Sequence, residues 1–431
     1  MKKLAILLFV AVTSLFATGE DILEKPTSEA KKFSEILKLG EMKGQARVLY
    51  QTNSHNEAGN GTEDLLVGGK ISFETTPLYA INLKTSFYMV YPILNRSSKD
   101  HDYYNPNGDG YSMLGEMFVK YASNDMEIKL GQMELDLPLI NSDDIRMIPN
   151  LFTAALVNYL PSKELKLTTG IVSRMAGWEN SSDHSKFVKL GEVINNTETF
   201  GNFFADNPSA INSRLFIIGA AYESENFTLD GWFYRQTKML DTYYTKGSIK
   251  AYKSDAMSIN LMAQYMSEKS IGKLDNYSKI DYAAKVDCDI YGAAIELESE
   301  TIGLKWFLAY NKSGKNKESL NDGGTADFFG GAKDSLFTSM DVETANCAGD
   351  VSAYKIGVEF DLEKVGFKGT NIAIAHANFY RGVDDTTKKE TDFRASYILN
   401  KQANIEMMLS KIEDEQSNTN NRARIFIKYN F

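Results

Sequence analysis

The last ten residues of the chain read Arg422-Ala-Arg-Ile-Phe-Ile-Lys-Tyr-Asn-Phe431. Successive side chains of a strand point to opposite faces of its sheet. One face would carry Ala423, Ile425, Ile427, Tyr429 and Phe431, and the other Arg422, Arg424, Lys428 and Asn430. This pattern predicts a closing strand with lipid on one side and a water-filled lumen on the other. An edge strand of a soluble sheet would alternate in the same way, so the rest of the chain has to decide.

The N-terminus has the layout of a secretory signal peptide. Lys2 and Lys3 precede an apolar run over residues 4–16, and small residues follow at 17–19. A membrane-spanning helix would need about 20 apolar residues, which is longer than this run. We therefore predict that residues 1–19 are a cleaved signal peptide and that the mature chain is exported.

The composition is compatible with a membrane protein built of strands but does not by itself decide the class. Aromatic residues make up 12% of the chain, although its mean hydropathy is negative. A closed barrel of alternating strands accounts for both properties, and a soluble secreted β-protein would also fit them. Without residues 1–19, which contain two lysines and no acids, the 47 basic residues fall to 45 against 57 acidic ones. This balance argues against nucleic acid as a partner, because nucleic acid requires clustered basic surface.

The mature chain divides into a short lead and one long stretch of strands. A cap at Thr27 or Ser28 would start a helix that ends at Gly40. We assign residues 20–43 to this helical periplasmic lead. From residue 44 to residue 431 apolar and polar residues alternate with period two, which predicts a transmembrane antiparallel β-barrel in an all-β fold.

Short and long connections alternate along the predicted barrel. Tight turns lie near Thr76-Pro77 and Pro161-Ser162-Lys163, and long polar stretches such as 92–112 and 176–211 lie between them. Outer-membrane barrels have this layout, with short periplasmic turns and long extracellular loops. Counting strands between the connections gives about 18, which would enclose an aqueous lumen. The strands predicted over 243–253 and 404–413 have the weakest alternation.

The third long connection carries a more specific sequence. After the strand end Leu130-Gly131, the loop closes with Ser142, Arg146, Met147 and Pro149. This segment resembles the OprD-like family of substrate-specific outer-membrane porins, in which an inward-folded loop closes with Ser-x-x-x-Arg-hydrophobe-x-Pro. The resemblance implies a barrel of 18 strands that passes small water-soluble solutes. It also implies that the third loop, residues 135–150, folds into the pore opposite a column of basic wall residues.

Basic side chains on the lumen face of the last strands are candidates for that wall. They are Lys355, Arg394, Arg422 and Arg424. Fixed charge at a narrow point selects solutes, because low-dielectric walls focus its field. The alternative is that these side chains only solvate the lumen or pair with neighbouring acids such as Glu359 and Asp361.

The third loop would place further charge opposite the wall. Its charged residues are Asp136, Asp143, Asp144 and Arg146. Carboxylates that face a basic wall would create a transverse field, which orients dipolar or zwitterionic solutes. The alternative is that Asp143 and Asp144 cap a turn or pair with Arg146, and for Arg146 we favour this structural role.

The cysteines, the histidines and the terminal aromatic residue give three further predictions. Cys288 and Cys347 would both lie near the outer mouth, either as a disulfide or as two separate thiols. No histidine pair has metal-ligand spacing and no cofactor motif occurs, so we predict neither a metal nor a cofactor. The terminal aromatic residue, Phe431, is the expected signal for the barrel-assembly machinery.

These observations predict a passive outer-membrane porin of a diderm bacterium rather than an enzyme. Small hydrophilic solutes and ions would diffuse through a lumen limited by its size and fixed charge, with outer-membrane lipid around the barrel. The alternative is a structural or adhesive surface barrel with no open pore. A barrel hydrolase has no motif in its favour, and the sequence is compatible with a monomer and with a homotrimer.

Overall fold

The computed structural model describes ten stretches of the chain. They are residues 29–55, 61–94, 100–180, 183–195, 198–279, 282–283, 285–326, 335–343, 348–415 and 419–431. The predicted signal peptide and Cys347 lie outside the described residues.

Eighteen long strands form one closed antiparallel sheet, which confirms the predicted fold. In chain order they are β1 (Glu41–His55), β2 (Thr62–Glu74), β3 (Ile81–Pro92), β4 (Tyr111–Ala122), β5 (Met126–Met133), β6 (Leu151–Tyr159), β7 (Leu165–Ala176), β8 (Leu215–Glu223), β9 (Phe227–Gln236), β10 (Leu240–Lys253), β11 (Ser258–Ser270), β12 (Asp287–Ser299), β13 (Leu304–Ser313), β14 (Val351–Asp361), β15 (Thr370–Arg381), β16 (Thr386–Ile398), β17 (Ala403–Asp414) and β18 (Thr419–Asn430). Each strand pairs with the next along the chain, and β18 pairs back to β1. The barrel therefore has no free sheet edge.

Both weakly patterned strands are present. The tenth strand, β10, begins at Leu240 rather than at 243, and β17 runs from Ala403 to Asp414. Each is hydrogen-bonded to a neighbour on both sides. A strand that is hydrogen-bonded on both sides can form even where its sequence alternates weakly, because pairing and packing outweigh intrinsic strand preference.

Burial follows the predicted two-sided pattern. On β13, Trp306, Leu308 and Tyr310 are about half exposed, whereas Phe307 and Ala309 between them are buried. In a membrane-spanning barrel the exposed apolar set faces lipid and the alternate set faces the interior. We use outward and inward for these two sets.

The last residue closes the seam between β1 and β18. The N–H of Phe431 donates to the carbonyl of Gly44 at 2.9 Å, and the N–H of Gly44 donates to the carbonyl of Phe431 at 2.8 Å. The ring of Phe431 lies over Gly44, at the place where a Cβ would be. Phe431 therefore covers the glycine at the end of the seam, and its recognition by the assembly machinery stays a prediction.

In the part of the chain that the structure describes, helices are few and short. They are α1 (Phe33–Lys38), α2 (Leu190–Asn195) and α3 (Glu198–Asp206), with 3-10 turns at His101–Tyr103, Pro208–Asn212, Leu320–Asp322 and Leu362–Val365. The first helix precedes β1, and the other two lie between β7 and β8. Within the described ranges, no helix has the length and apolar character needed to cross a membrane.

The long connections pack apolar side chains against the inner wall of β5–β12. Phe203 and Phe204 from α3 and Leu336 from the connection between β13 and β14 share one buried cluster with the inward Val172 and Ile217. Large apolar side chains buried in this way stabilise a structure by about 1.5–3 kcal/mol each. This packing holds the loops in place, whereas inward positions of β14, β18 and β1 carry buried cations.

We predict that Gly44→Val impairs closure of the barrel. The added side chain would displace the ring of Phe431, and overpacking of this kind costs about 1–3 kcal/mol. The fraction of protein that migrates as a folded barrel in unheated gel electrophoresis should fall.

The matched control is Gly231→Val on β9. Gly231 also faces outward, and no atom lies within 4 Å of the position of its missing Cβ. An equal loss of folded barrel in both variants would mean that the contact between Phe431 and Gly44 has no special role.

Candidate pore constriction

The connection from β5 to β6, the predicted third loop, begins with a short hairpin. Its two-residue strands, Asp136–Leu137 and Ile140–Asn141, pair with each other. Apolar residues of this hairpin, among them Leu139, join the cluster on the inner wall. The hairpin is thereby fixed, and the charged second half of the loop is held near β1.

Asp144 is the loop carboxylate that binds the wall, and its partner is Arg47. This inward residue of β1 donates from Nη1 to Oδ1 of Asp144 at 2.6 Å and from Nη2 to Oδ2 at 2.5 Å. Nη1 also donates to the carbonyl of Arg146 at 2.9 Å. Loss of water contacts would raise the pKa of Asp144, but the charge and hydrogen bonds of Arg47 outweigh it and lower this pKa. A bidentate pair of this kind fixes the orientation of the carboxylate as well as its distance from the guanidinium.

Arg146 is enclosed within the loops. Its Nε donates to Oδ2 of Asp102 at 3.1 Å, and its guanidinium lies 4.5 Å from the ring centroid of Trp178 and 6.0 Å from that of Tyr103. These contacts join the third loop to the connections before β4 and after β7. They support the structural role that the sequence favoured for Arg146.

Asp136 and Asp143 contact the loop itself. Oδ1 of Asp136 accepts a hydrogen bond from the hydroxyl of Ser142 at 2.7 Å. The carbonyl of Asp143 accepts one from Nε1 of Trp178 at 3.2 Å, and Asp143 has a positive φ of 37°. Asp136 thereby holds the turn of the loop, and the carbonyl of Asp143 joins the loop to the connection after β7. The roles predicted for the two side chains in the pore stay predictions.

The wall arginines converge on a carboxylate that the sequence did not single out. Asp341 lies in the connection between β13 and β14, and its Oδ2 is 3.5 Å from Nη2 of Arg424 and 3.8 Å from Nη1 of Arg422. Burial would raise the pKa of Asp341, but the charges of Arg424, Arg394 and Arg422 outweigh burial and lower it. Asp341 therefore stays ionised among these three arginines.

The backbone around Asp341 is docked on two inward acids of β16. The N–H of Asp341 donates to Oδ2 of Asp392 at 3.1 Å. The next two N–H groups, of Val342 and Glu343, donate to the carboxylate oxygens of Glu390 at 3.0 and 2.6 Å. Three consecutive backbone bonds thus set the depth at which Asp341 enters the barrel.

Lys355 holds the same connection from the other side. Its Nζ donates to the carbonyl of Ser339 at 2.6 Å and lies 5.9 Å from the ring centroid of Phe307. Of the four predicted wall residues, Lys355 thus contacts the backbone of this connection, whereas Arg394, Arg422 and Arg424 act on its carboxylate, Asp341.

Tyr103 and Gln51 connect the third loop to the wall. The Tyr103 hydroxyl donates to Oε1 of Gln51 at 2.6 Å, and the same oxygen accepts from Nε of Arg424 at 3.1 Å. Because Tyr103 also lies beside Arg146, the two loops and the wall form one network. The sequence did not single out three members of this network, Arg47, Gln51 and Tyr103. Arg47 could have been found, because it has the same strand parity as the inward residues of β1.

Loops cover most of these charges. The side chains of Arg47, Arg146, Arg424 and Asp341 are each at most 5% exposed. Arg422 is 17% exposed and Asp144 is 34% exposed. Within this charged network, Arg422 and Asp144 are therefore the side chains most accessible to water.

The remaining candidates lie away from this network. Cys288 is a buried free cysteine at the start of β12, and Cys347 lies outside the described residues, so the disulfide stays an untested prediction. The described part of the chain contains no group of side chains with the arrangement of a metal site.

A family profile described as outer membrane porin, OprD family, matches residues 94–431. The chain belongs to this family. It is an outer-membrane diffusion channel of the kind found in Gram-negative bacteria, and nothing in the structure or the comparisons favours a surface barrel without a pore. The family and its fold are known as channels rather than enzymes. No curated protein sequence matches this porin.

Solved structures share the fold. OccAB1 of Acinetobacter baumannii has a TM-score of 0.74 and 18% identity, over 95% of this porin and 99% of that chain. OccK9 (OpdG) of Pseudomonas aeruginosa has a TM-score of 0.74 and 14% identity, over 92% and 99%. OpdK of Pseudomonas aeruginosa, solved with vanillate, has a TM-score of 0.72 and 14% identity, over 92% and 99%. At these identities the likeness concerns the fold alone.

We predict that Arg47→Met makes the third loop less rigid. The variant removes the cation that binds Asp144, and a partly buried carboxylate without its partner moves toward water. Single-channel recordings of this porin in a planar bilayer should then show larger current noise in the open state than the parent.

Lys43→Met is the control on the same strand and with the same parity. Its Nζ contacts Glu41 at 3.0 Å, and both side chains are more than 60% exposed. The control should keep the parental noise. Parental noise in Arg47→Met would contradict a tethering role for the pair of Arg47 and Asp144.

Proposed function

We propose that this porin selects small water-soluble solutes by charge at a constriction formed by the third loop, the wall arginines and the connection that carries Asp341, and that it prefers anions. The observation behind the proposal is that Arg422 and Arg424 lie 3.8 and 3.5 Å from one loop carboxylate, Asp341. At this point the arginines outnumber the carboxylate that they share. A solute anion is therefore attracted to the same place.

The partial exposure of Arg422 gives a solute access to this field. Arg422 donates from Nε to Oδ1 of Asn53 at 3.0 Å, which holds its guanidinium against the wall. In a narrow lumen with low-dielectric walls such a fixed charge acts more strongly than it would in open water. Arg422 lies nearer the extracellular end of β18 than Arg424, so an anion that enters from outside would meet Arg422 before the more deeply buried Arg424.

Asp341 would keep an anion from binding too tightly to the arginines. Conduction requires a site that attracts an ion strongly enough for entry and weakly enough for exit. The carboxylate of Asp341 already partly neutralises Arg422 and Arg424, so a passing anion competes with it and is not retained. Asp144 reduces the field of Arg47 in the same way on the loop side.

The relatives give limited support for anionic solutes. OpdK was solved with vanillate, which carries a carboxylate, and an aromatic carboxylate would suit the arginines of this porin too. The proposal needs no cofactor and no energy source, because size and fixed charge suffice for passive diffusion.

Export and assembly complete the proposal. We infer that residues 1–19 direct the chain through the inner membrane and are then removed, and that the barrel-assembly machinery inserts the mature chain. One chain closes the barrel by itself, so a pore does not require a second copy. A homotrimer stays an untested prediction.

We predict opposite shifts in ion selectivity for Arg424→Ser and Asp341→Asn. Removing the cation should lower the ratio of anion to cation permeability, and removing the carboxylate should raise it. A unit charge at about 4 Å in water is worth about 1 kcal/mol, so each ratio should change by up to about fivefold. The reversal potential in a salt gradient across a planar bilayer measures this ratio.

Arg235→Ser is the matched control. Arg235 faces outward on β9 and binds Asp241, so its loss should leave the reversal potential unchanged. Shifts of the same sign in Arg424→Ser and Asp341→Asn, or no shift in either, would remove this network from the selectivity of the porin.

A further inference from the structure

Residues 31–43, which we name the rim segment, expose large apolar side chains outside the barrel wall. Phe33 and Leu37 of α1 are 82% and 68% exposed, Leu39 is 52% exposed and Met42 is 68% exposed. The two helical residues are four apart, so they lie on the same side of α1. Exposed apolar surface of this kind, concentrated in one short segment, marks a site that contacts another protein or a membrane.

The rim segment is fixed at the end of the barrel that carries the short turns. The N–H of Thr76, in the turn from β2 to β3, donates to the carbonyl of Ile36 at 3.1 Å. Nearby, the N–H of Ala30 donates to the carbonyl of Pro77 at 2.8 Å. Gly40 lies against the ring of the outward Phe73. The segment therefore follows the outer edge of the barrel at this end, which is the periplasmic end in an outer-membrane barrel.

The apolar side chains of the rim segment continue the lipid-facing surface. Met42 is an outward residue of β1, in the same set as Val48, which is also exposed. On the neighbouring side of the turn, Tyr79 is 82% exposed and Ile81 is 50% exposed. Aromatic side chains are typical of the level of lipid headgroups. Through Met42, the exposed apolar side chains of the barrel wall thus continue into the rim segment.

Lysines at positions 31, 32 and 38 flank the apolar residues of the rim segment in sequence, whereas Lys43 has the inward parity of Arg47. The rim segment contains four lysines, at positions 31, 32, 38 and 43, and two glutamates, at positions 35 and 41, in a chain with a net charge of −10. Anionic phospholipid attracts lysines that lie near its surface. A short amphipathic segment with basic residues is suited to lie in the plane of a membrane interface.

We propose that the rim segment anchors the porin to the phospholipid of the periplasmic leaflet. In this arrangement Phe33, Leu37 and Leu39 enter the boundary between headgroups and acyl chains, and the lysines at positions 31, 32 and 38 contact phosphate. The segment then braces the barrel from outside and leaves the periplasmic mouth open. The inference does not depend on the selectivity of the constriction.

A nitroxide spin label at Phe33→Cys tests the proposal directly. Cys288 and Cys347 are replaced by alanine, and the labelled porin is placed in vesicles of phosphatidylethanolamine and phosphatidylglycerol. Collision rates of the label with oxygen, which concentrates in lipid, and with a water-soluble nickel complex are then measured. We expect the label at position 33 to collide more with oxygen than with nickel.

Two labelled positions serve as references. A label at Met89→Cys, on the outward face of β3, should show the lipid pattern, and one at Ser34→Cys, beside Phe33 but polar, should show the water pattern. If the label at position 33 behaves like the label at position 34, the anchor is refuted. A label at position 33 that neither reagent reaches would indicate cover by protein, either in the mouth or by a second copy, and would also refute it.

A second variant separates an anchor from a plug. Phe33→Ser combined with Leu37→Ser should leave the single-channel conductance at the parental value, because an anchor lies outside the pore. A changed conductance would place the rim segment in the path of ions and overturn the proposal.

Discussion

The pairing of β1 with β18 is the contact on which the rest of this structure depends. Lipid offers no hydrogen bonds, so every backbone group of a membrane strand needs a partner in a neighbouring strand. The reciprocal bonds between Gly44 and Phe431 close the sheet at its periplasmic end. Closure also decides which side chains face the interior. In a closed barrel, one of the two alternating sets on each strand faces lipid and the other faces the lumen.

The same seam builds the charged wall. In its register Gln51 lies opposite Arg424, and Asn53 lies opposite Arg422. Each amide accepts a hydrogen bond from the arginine beside it, so the first strand orients cations that the last strand supplies. Two loops then bring carboxylates to this wall. Apolar packing on the other side of the barrel holds those loops at the required depth, so the selectivity that we propose rests on both closure and core packing.

The strands could be predicted from the sequence, and the contacts of the loops could not. Alternation identified the outward and inward sets of β18, because period two is a local property of a strand. The motif around Arg146 located the third loop through a family resemblance. Asp341 lies in a long connection without periodicity, and its position follows from backbone bonds to Glu390 and Asp392 that no local pattern reveals. Arg47 could have been found from parity alone.

Single-channel recording of the unmodified, purified protein in a planar lipid bilayer tests the central claim most directly. A barrel closed by one chain, with a charged constriction, should give stable open steps, and in a salt gradient its reversal potential should have the sign of anion preference. A bilayer that stays silent after verified insertion would contradict the account of a diffusion channel. Open steps with cation preference would contradict the role given to the wall arginines.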